Sequence, residues 1–522
     1  MSNKLTKLEK HLIKQELERL RKEDKFQYDF IREHDKMYSR RDFMGLSLLG
    51  GYSMLALPGI LSILPSRLNA QDMDAKCGST DSNAANPFAG NIHLELAGGA
   101  CLGSAFIPYT MNGGNLSNSG YAKFGYSPAI IPNSDNTSTE FGAGIHKESS
   151  FYKALMKTFQ DNDIDPNTLK GKLQIITIIA RSENDNANTE SSCGNLIREI
   201  TGAGKIADIV GTGRTVNGIR SRSAGNINKY SSSLISNNPS SVSGLVELGV
   251  IADRLSKDEA EKILKAAEKM SARRLASFKK QTISDQLKTL IECGYYKANK
   301  TVFGNDLSTI SSAGDPIYTG IFGAADFQKA AITKLVLKGN ARSGGIVLSG
   351  YDYHNGQTTG TTSGHTKRFE AGTLVAKIVS AAVKESASLT MQVTTDGSAS
   401  CRGGNVTGNV TNGILTGAGF YANRVEDASV GMELKIVYHP NGFKEEFTSH
   451  QIGGYTESGS INLSANAISN NQTTKSIAMA ANYLNMHGKI DQLDAVCKKL
   501  GLTNPFSDKN ILNSVLVVKE HA

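Results

Sequence analysis

The sequence predicts an α/β domain with a mostly parallel sheet flanked by helices, and three observations carry that expectation. Runs of β-type residues recur along the chain, and one of them, KLQIITIIAR over 172–181, is almost continuously apolar, as a strand buried on both faces of a parallel sheet would be. Stretches with helical periodicity fall between such runs. Finally, strand, helix and strand follow one another over 344–395, the order of a right-handed βαβ crossover.

Taken in order, the first strand is NIHLELAGG over 91–99, and the series continues after 172–181 with GGIVLSGYD (344–352), SLTMQVTTDG (388–397), GMELKIVYHP (431–440) and SVLVVK (514–519). Over 366–386 the apolar positions Ala371, Val375, Ile378, Val379 and Ala382 share one face of a helix. In the middle of the chain Ser256-Lys257-Asp258-Glu259 reads as a capping box, opening a helix with Ile263, Leu264, Ala267 and Met270 on one side. The pattern runs on past Phe278 toward Leu290 and predicts a helical insertion or small lobe at about 240–300. Residues 111–143 and 182–192 are rich in Gly, Asn, Ser and Thr and read as loops; in α/β folds, loops at the carboxyl ends of the strands build the site.

The stretch YSRRDFMGLSLLGGYSMLALPGILSILPSRLNAQ, from residue 38, gives the most specific signal in the chain. Residues 43–64 are just long enough to span a bilayer, but Gly45, Gly50, Gly51, Pro58 and Gly59 make them only mildly hydrophobic. Ser39-Arg40-Arg41-Asp42-Phe43-Met44 matches the twin-arginine pattern S-R-R-x-F-x, and Leu68-Asn69-Ala70 before Gln71 follows small-x-small cleavage logic. The competing reading is a retained membrane anchor. The expectation is therefore a charged cytoplasmic region over 1–38, a Tat signal over 39–70 read through Arg40 and Arg41, cleavage between Ala70 and Gln71, and an exported domain over 71–522. Such a protein meets the Tat translocase during export, touches the membrane through its signal alone, and works in the periplasm or outside a bacterial cell. Leu5, Leu8, Leu12, Leu17 and Leu20, among alternating charges, suit a solvated helix before the signal.

Formal charge is +8, from 57 Lys+Arg against 49 Asp+Glu, and the segment up to Arg67 holds a disproportionate share of the excess. The basic clusters also lack interleaved aromatics, so the sequence gives no nucleic-acid surface. Six cysteines, Cys77, Cys101, Cys193, Cys293, Cys401 and Cys497, stand far apart without a C-x-x-C pair. That spacing excludes zinc ribbons and thioredoxin-like motifs, and leaves disulfides and buried free thiols both open. GTGRTVNG (211–218) and GSASCRGGN (397–405) lack the Lys-Ser/Thr of a P-loop and read as turns; His439 and His450 read as structural.

Several of these segments, in this order, resemble a family of Tat-exported proteins of unknown function that are distant relatives of sulfatases and alkaline phosphatases. The twin-arginine signal carries the resemblance, with LELAGGACLGSAFIP (94–108) where the family has a strand, a Gly-Gly turn and a proline. LSGYDYHNGQ (348–357) stands where it has a strand ending in Asp-x-His, and the helix from Thr366 and the strand ending TTDGS (394–398) follow. The resemblance implies an alkaline-phosphatase-like fold, in which a Ser, Thr or formylglycine nucleophile works beside one or two metal ions. Asp352 and His354 follow a buried strand and, two residues apart, point the same way on an extended backbone; Asp396 and His365 complete the candidate metal set. The departures matter equally. Residues 97–99 lack the first-strand Asp, Gly397 stands where active members place a His, and no Cys/Ser-x-Pro-x-Arg motif is present. Cys101 and Ser104 are nucleophiles by position, with nothing nearby in sequence to activate them. Two functions follow as expectations: a degenerate, non-catalytic binding or assembly component without a cofactor, or a metal-dependent phosphate- or sulfate-ester hydrolase with a reduced ligand set.

Overall fold

A computed structural model describes residues 88–181, 193–201, 207–212, 233–238, 242, 312–351, 364–395, 397–401, 403–421, 424–464 and 467–522. The chain divides into two compact units, Met1–Leu57 and Pro58–Ala522. The first lies outside the described residues, as do the signal and its cleavage site and the helical block at about 240–300.

Eight strands form its main sheet: β1 (Gly90–Leu96), β2 (Leu173–Ile178), β3 (Ala207–Gly211), β4 (Ser233–Leu234), β5 (Ala341–Leu348), β6 (Leu389–Thr395), and two more introduced below. A small ladder pairs β7 (Ala399–Cys401) with β10 (Arg424–Glu426), and a hairpin pairs β8 (Val406–Thr411) with β9 (Ile414–Tyr421). The main sheet then gains β11 (Glu433–Tyr438) and β12 (Gln451–Ile452) and reads β12-β2-β11-β6-β1-β5-β3-β4. Seven of these strands run one way; β11 is antiparallel to both its neighbours, β6 and β2. The apolar run of β2 therefore lies between an antiparallel and a parallel neighbour, where the sequence predicts parallel surroundings. Burial on both faces is what that run encodes, and a reversed strand in the sheet interior offers the same burial.

Helices α1 (Ser150–Asp161), α2 (Cys193–Thr201), α3 (Phe327–Leu337), α4 (Gly364–Lys384) and α5 (Gln472–Met486) accompany the sheet. Ile92, Leu94 and Leu96 of β1, Ile346 of β5 and Met391 and Val393 of β6 form one core with Phe151, Leu155 and Phe159 of α1, Ile332 and Val336 of α3, and the expected face of α4. A second core lies on the other face, where Ile176 and Ile178 of β2 and Val437 of β11 meet Leu196 and Ile197 of α2 and Ile477 and Leu484 of α5. Ser149 and Asn471 cap α1 and α5 by accepting bonds from the backbone N–H of Tyr152 and Thr474. Helices α1 and α4 cross backbone to backbone at Gly372, where a Cβ would fall 2.6 Å from the carbonyl oxygen of Phe151.

The crossover over 344–395 exists as β5, α4 and β6, but β1 lies between the two strands and is parallel to both. SVLVVK is not a strand. The segment leaves a turn at 514–515, and its later bonds go to a side chain: Asn482 of α5 donates to the carbonyl of Val515 and accepts from the N–H groups of Val517 and Val518. Residues 399–401, within one expected turn, form β7. Loop 111–143 holds a short helix (Asn118–Lys123), a 3-10 turn (Pro128–Ile130) and a two-residue strand (Thr137–Ser138). Among the described residues no helix is long and apolar enough to cross a membrane.

Candidate functional site

Three adjacent parallel strands, β6, β1 and β5, end together, and the turn after β1 ties their ends. Ala97 donates its N–H to Leu348 at the end of β5 (2.8 Å) and accepts from the N–H of Tyr351 (3.1 Å), while Ala100 donates to Thr395 Oγ1 at the end of β6 (2.6 Å). Between them Gly98 (φ 108°) and Gly99 (φ 103°) adopt the left-handed backbone that side chains disfavour, so the Gly-Gly pair makes the turn possible. Asp352, His354 and Asp396 lie outside the described residues. Their chain neighbours Tyr351 and Thr395 are bonded to the same short turn.

His365 is described, and its environment is not that of a solvent-facing ligand. It stands in the first turn of α4 with 6% of its surface exposed, its ring edge-on to Phe420 of β9 and covered by Gly417, where a Cβ would fall 2.1 Å from Nδ1. Arg368, one turn on, donates to Nδ1 at 2.9 Å. Burial, then the charges of Arg368 and Arg424, push the imidazole down to about 2, so it stays neutral. Nδ1 thereby accepts, so in the neutral ring the proton is on Nε2, which can donate a hydrogen bond but offers no lone pair to a metal ion.

Cys101 and Ser104 follow the turn directly. Ser104 is buried and its hydroxyl donates to the carbonyl of Cys101 at 2.8 Å. The sulfur of Cys101 takes a contact of 3.1 Å from Nη1 of Arg424, which also donates to the Phe124 carbonyl at 3.0 Å. Arg424 is in turn the cross-strand partner of Cys401 in the β7–β10 ladder, and burial pushes the Cys401 thiol up against the opposing pull of that guanidinium. Two buried arginines, two buried free thiols and a neutral imidazole thus stand behind the strand ends. Cys101 and Arg424 are 323 positions apart, a separation at which no sequence pattern operates.

On the opposite face of the same strands lies a feature that the sequence analysis missed. Asn91, His93 and Glu95 of β1, Thr390, Gln392 and Thr394 of β6, and Glu433 and Lys435 of β11 are all buried. Asn91 donates to Ser343 of β5 (2.9 Å) and accepts from Thr390 (3.0 Å), a ring nitrogen of His93 bonds Thr394 Oγ1 (2.7 Å), and Gln392 donates to Glu433 (3.3 Å). Lys475 of α5 completes the stripe by pairing with Glu433. Alternation of polar and apolar residues along β1, β6 and β11 was the signal available, but its ordinary meaning is a strand with one face in water. Among the described residues no group of three or more His, Cys, Asp or Glu side chains could hold a metal ion.

No protein-family model matches the chain, and neither a curated protein nor a solved structure matches it.

Proposed function

We propose that the protein is an exported bacterial envelope component, carried by the Tat translocase on the signal read through Arg40 and Arg41. Its α/β domain is of alkaline-phosphatase-like type and serves binding or assembly rather than catalysis. One observation carries the non-catalytic part: the groups standing where a nucleophile would follow the first strand are committed to structural partners, Ser104 to a backbone carbonyl and Cys101 to Arg424. His365 adds to this, since its Nδ1 accepts from Arg368. A metal-dependent ester hydrolase is the second reading, favoured by the meeting of three strand ends beside Asp352 and Asp396. In that reading Asp352, His354 and Asp396 would hold a divalent ion, which would supply Lewis-acid charge stabilisation; His365, whose Nδ1 accepts from Arg368 and whose Nε2 therefore carries the proton, would not ligate it.

Metal analysis of the purified mature chain, alongside phosphate- and sulfate-ester assays, separates the two. The expected result is no stoichiometric metal, and a cost of about 0.5–1.5 kcal/mol for His354→Ala, that of one lost loop hydrogen bond. One equivalent of zinc, manganese or calcium, absent from an Asp352→Ala variant, establishes the hydrolase reading instead. Export has its own test. Replacing Arg40 and Arg41 together by lysine keeps the charge but not the guanidinium pair, so the precursor should stay in the cytoplasm; the wild-type product should begin near Gln71. Normal export of the double variant refutes the Tat assignment.

A further inference from the structure

Three histidines from distant parts of the sequence meet under the carboxyl-terminal segment. His439 follows β11, His487 caps the end of α5, and His521 is the penultimate residue. The His439 and His521 rings stack at 4.6 Å and 13°, and His487 meets His521 at 5.2 Å and 72°. Backbone donors fix the tautomers. Nε2 of His487 accepts from the N–H of Ala89 (3.3 Å), so in the neutral ring the proton is on Nδ1, which donates to Nε2 of His521 (3.2 Å). Nδ1 of His439 likewise accepts from the N–H of Asn441.

The segment they touch is a strap. Residues 515–518 are held by Asn482 and Asn485 of α5, and the backbone of residues 520–522 bonds Lys444, Met486 and Gly442. Val515, Val517 and Val518 are buried in the second core. We propose that His439, His487 and His521 form an acid-operated latch that holds strap 514–522 against α5 and releases it on protonation. The chemistry follows from the tautomers. A proton added to Nε2 of His521 faces the Nδ1–H of His487, and a proton added to Nε2 of His487 faces the N–H of Ala89; either turns a hydrogen bond into two opposed donors. Lys489 and Lys435 face His487 and oppose its charging, Tyr483 and Phe88 pack on its ring, and Glu520, paired with Lys444, faces His521.

Burial, with the neighbouring rings and lysines, pushes His487 down to about 3, and burial with His521 holds His439 below the usual imidazole range. His487 is neutral with the strap in place and titrates near 6.5 once it is free. The latch is therefore fully effective above about pH 6.5 and weakens as pH falls below it. This inference stands independently of the export and binding readings.

Amide hydrogen exchange of the full chain at pH 7.5 and pH 5.0, corrected for intrinsic rates, tests it. Strap amides of Val517, Val518, His521 and Ala522 should open more often at pH 5.0, by roughly 30-fold for the proton that His487 takes on release, while β1 amides keep their protection. The His487→Gln/His521→Gln variant, whose amides donate and accept without titrating, should lose that dependence. If the variant does not fold, a histidine proton NMR titration of the wild type replaces it, with His487 expected to charge only as strap protection falls. Equal strap protection at both pH values, strap and β1 amides opening together, or a charged His487 under a protected strap would each overturn the proposal.

Discussion

Lys475 enters from α5 and ends against Glu433, both beyond the reach of water. Withdrawing two such charges from solvent is costly, and the pair contributes less to net stability than its Coulomb energy suggests. Breaking it is another matter, because the survivor remains buried. Lys475→Met should thus cost about 3–5 kcal/mol in urea unfolding, and the double variant Lys475→Met/Glu433→Leu should recover much of that loss. A loss under 1 kcal/mol for the single variant would mean that water reaches Glu433. At this scale the sequence was readable where the signal was local. The Gly98-Gly99 turn was legible, because a positive φ selects glycine wherever it occurs. Arg424 against Cys101 and Arg368 against His365 were not: one pair spans most of the chain, and an arginine near the start of a helix ordinarily means a solvated face.

At the scale of elements, the α4 face of Ala371, Val375, Ile378, Val379 and Ala382 is buried as its spacing implies. Helical periodicity survives tertiary context because one stripe must face the core. Strand content was legible for the same kind of reason and strand partners were not. β11 reads like its neighbours and runs the other way, since alternation is blind to direction. SVLVVK has strand composition but Asn482 serves as its partner, a single amide replacing a ladder. Asn482→Ala removes the acceptor of two backbone N–H groups and the donor to one carbonyl in a buried place. The expected cost is at least about 3 kcal/mol, at roughly 1–3 kcal/mol for each group left unsatisfied, concentrated in faster exchange over 515–518. Asn482→Asp should not recover it, because the second carboxylate oxygen would face the carbonyls of Ala478 and Val515 and a charge would be buried without a cation. If Asn482→Ala leaves exchange over 515–518 unchanged, the strap is held by its valines and not by the amide.

At the scale of the whole molecule, the histidines with displaced titration among the described residues share one sign. Burial pushes His146 down to about 4 and His365 to about 2, and burial with its neighbours pushes His487 to about 3. Each of these rings is neutral in the folded protein and charges near 6.5 when exposed, so the unfolded chain binds more protons. A depressed histidine withholds nothing above pH 6.5 and destabilises progressively below it. Asp315, Asp326 and Asp427 are held below the ordinary carboxylate range by hydrogen bonds and lysines, against the opposing effect of burial, and their stabilisation is lost lower still, as pH falls below about 4. The two windows are therefore distinct and follow in order. From pH 7.5 to pH 5 each of the three histidines should remove about 2 kcal/mol, close to 6 kcal/mol together, comparable to the whole stability of an ordinary domain. Urea midpoints measured at half-unit steps should be level above pH 7, fall by pH 5 with a slope of about three protons from these rings and a further contribution from His439 and His450, and steepen again near pH 4. His146→Gln should reduce the middle slope by one proton without touching the lower break. A stability that rises on acidification between pH 7 and 5 would show that these imidazoles are charged in the native fold and that the burial argument for all three is wrong.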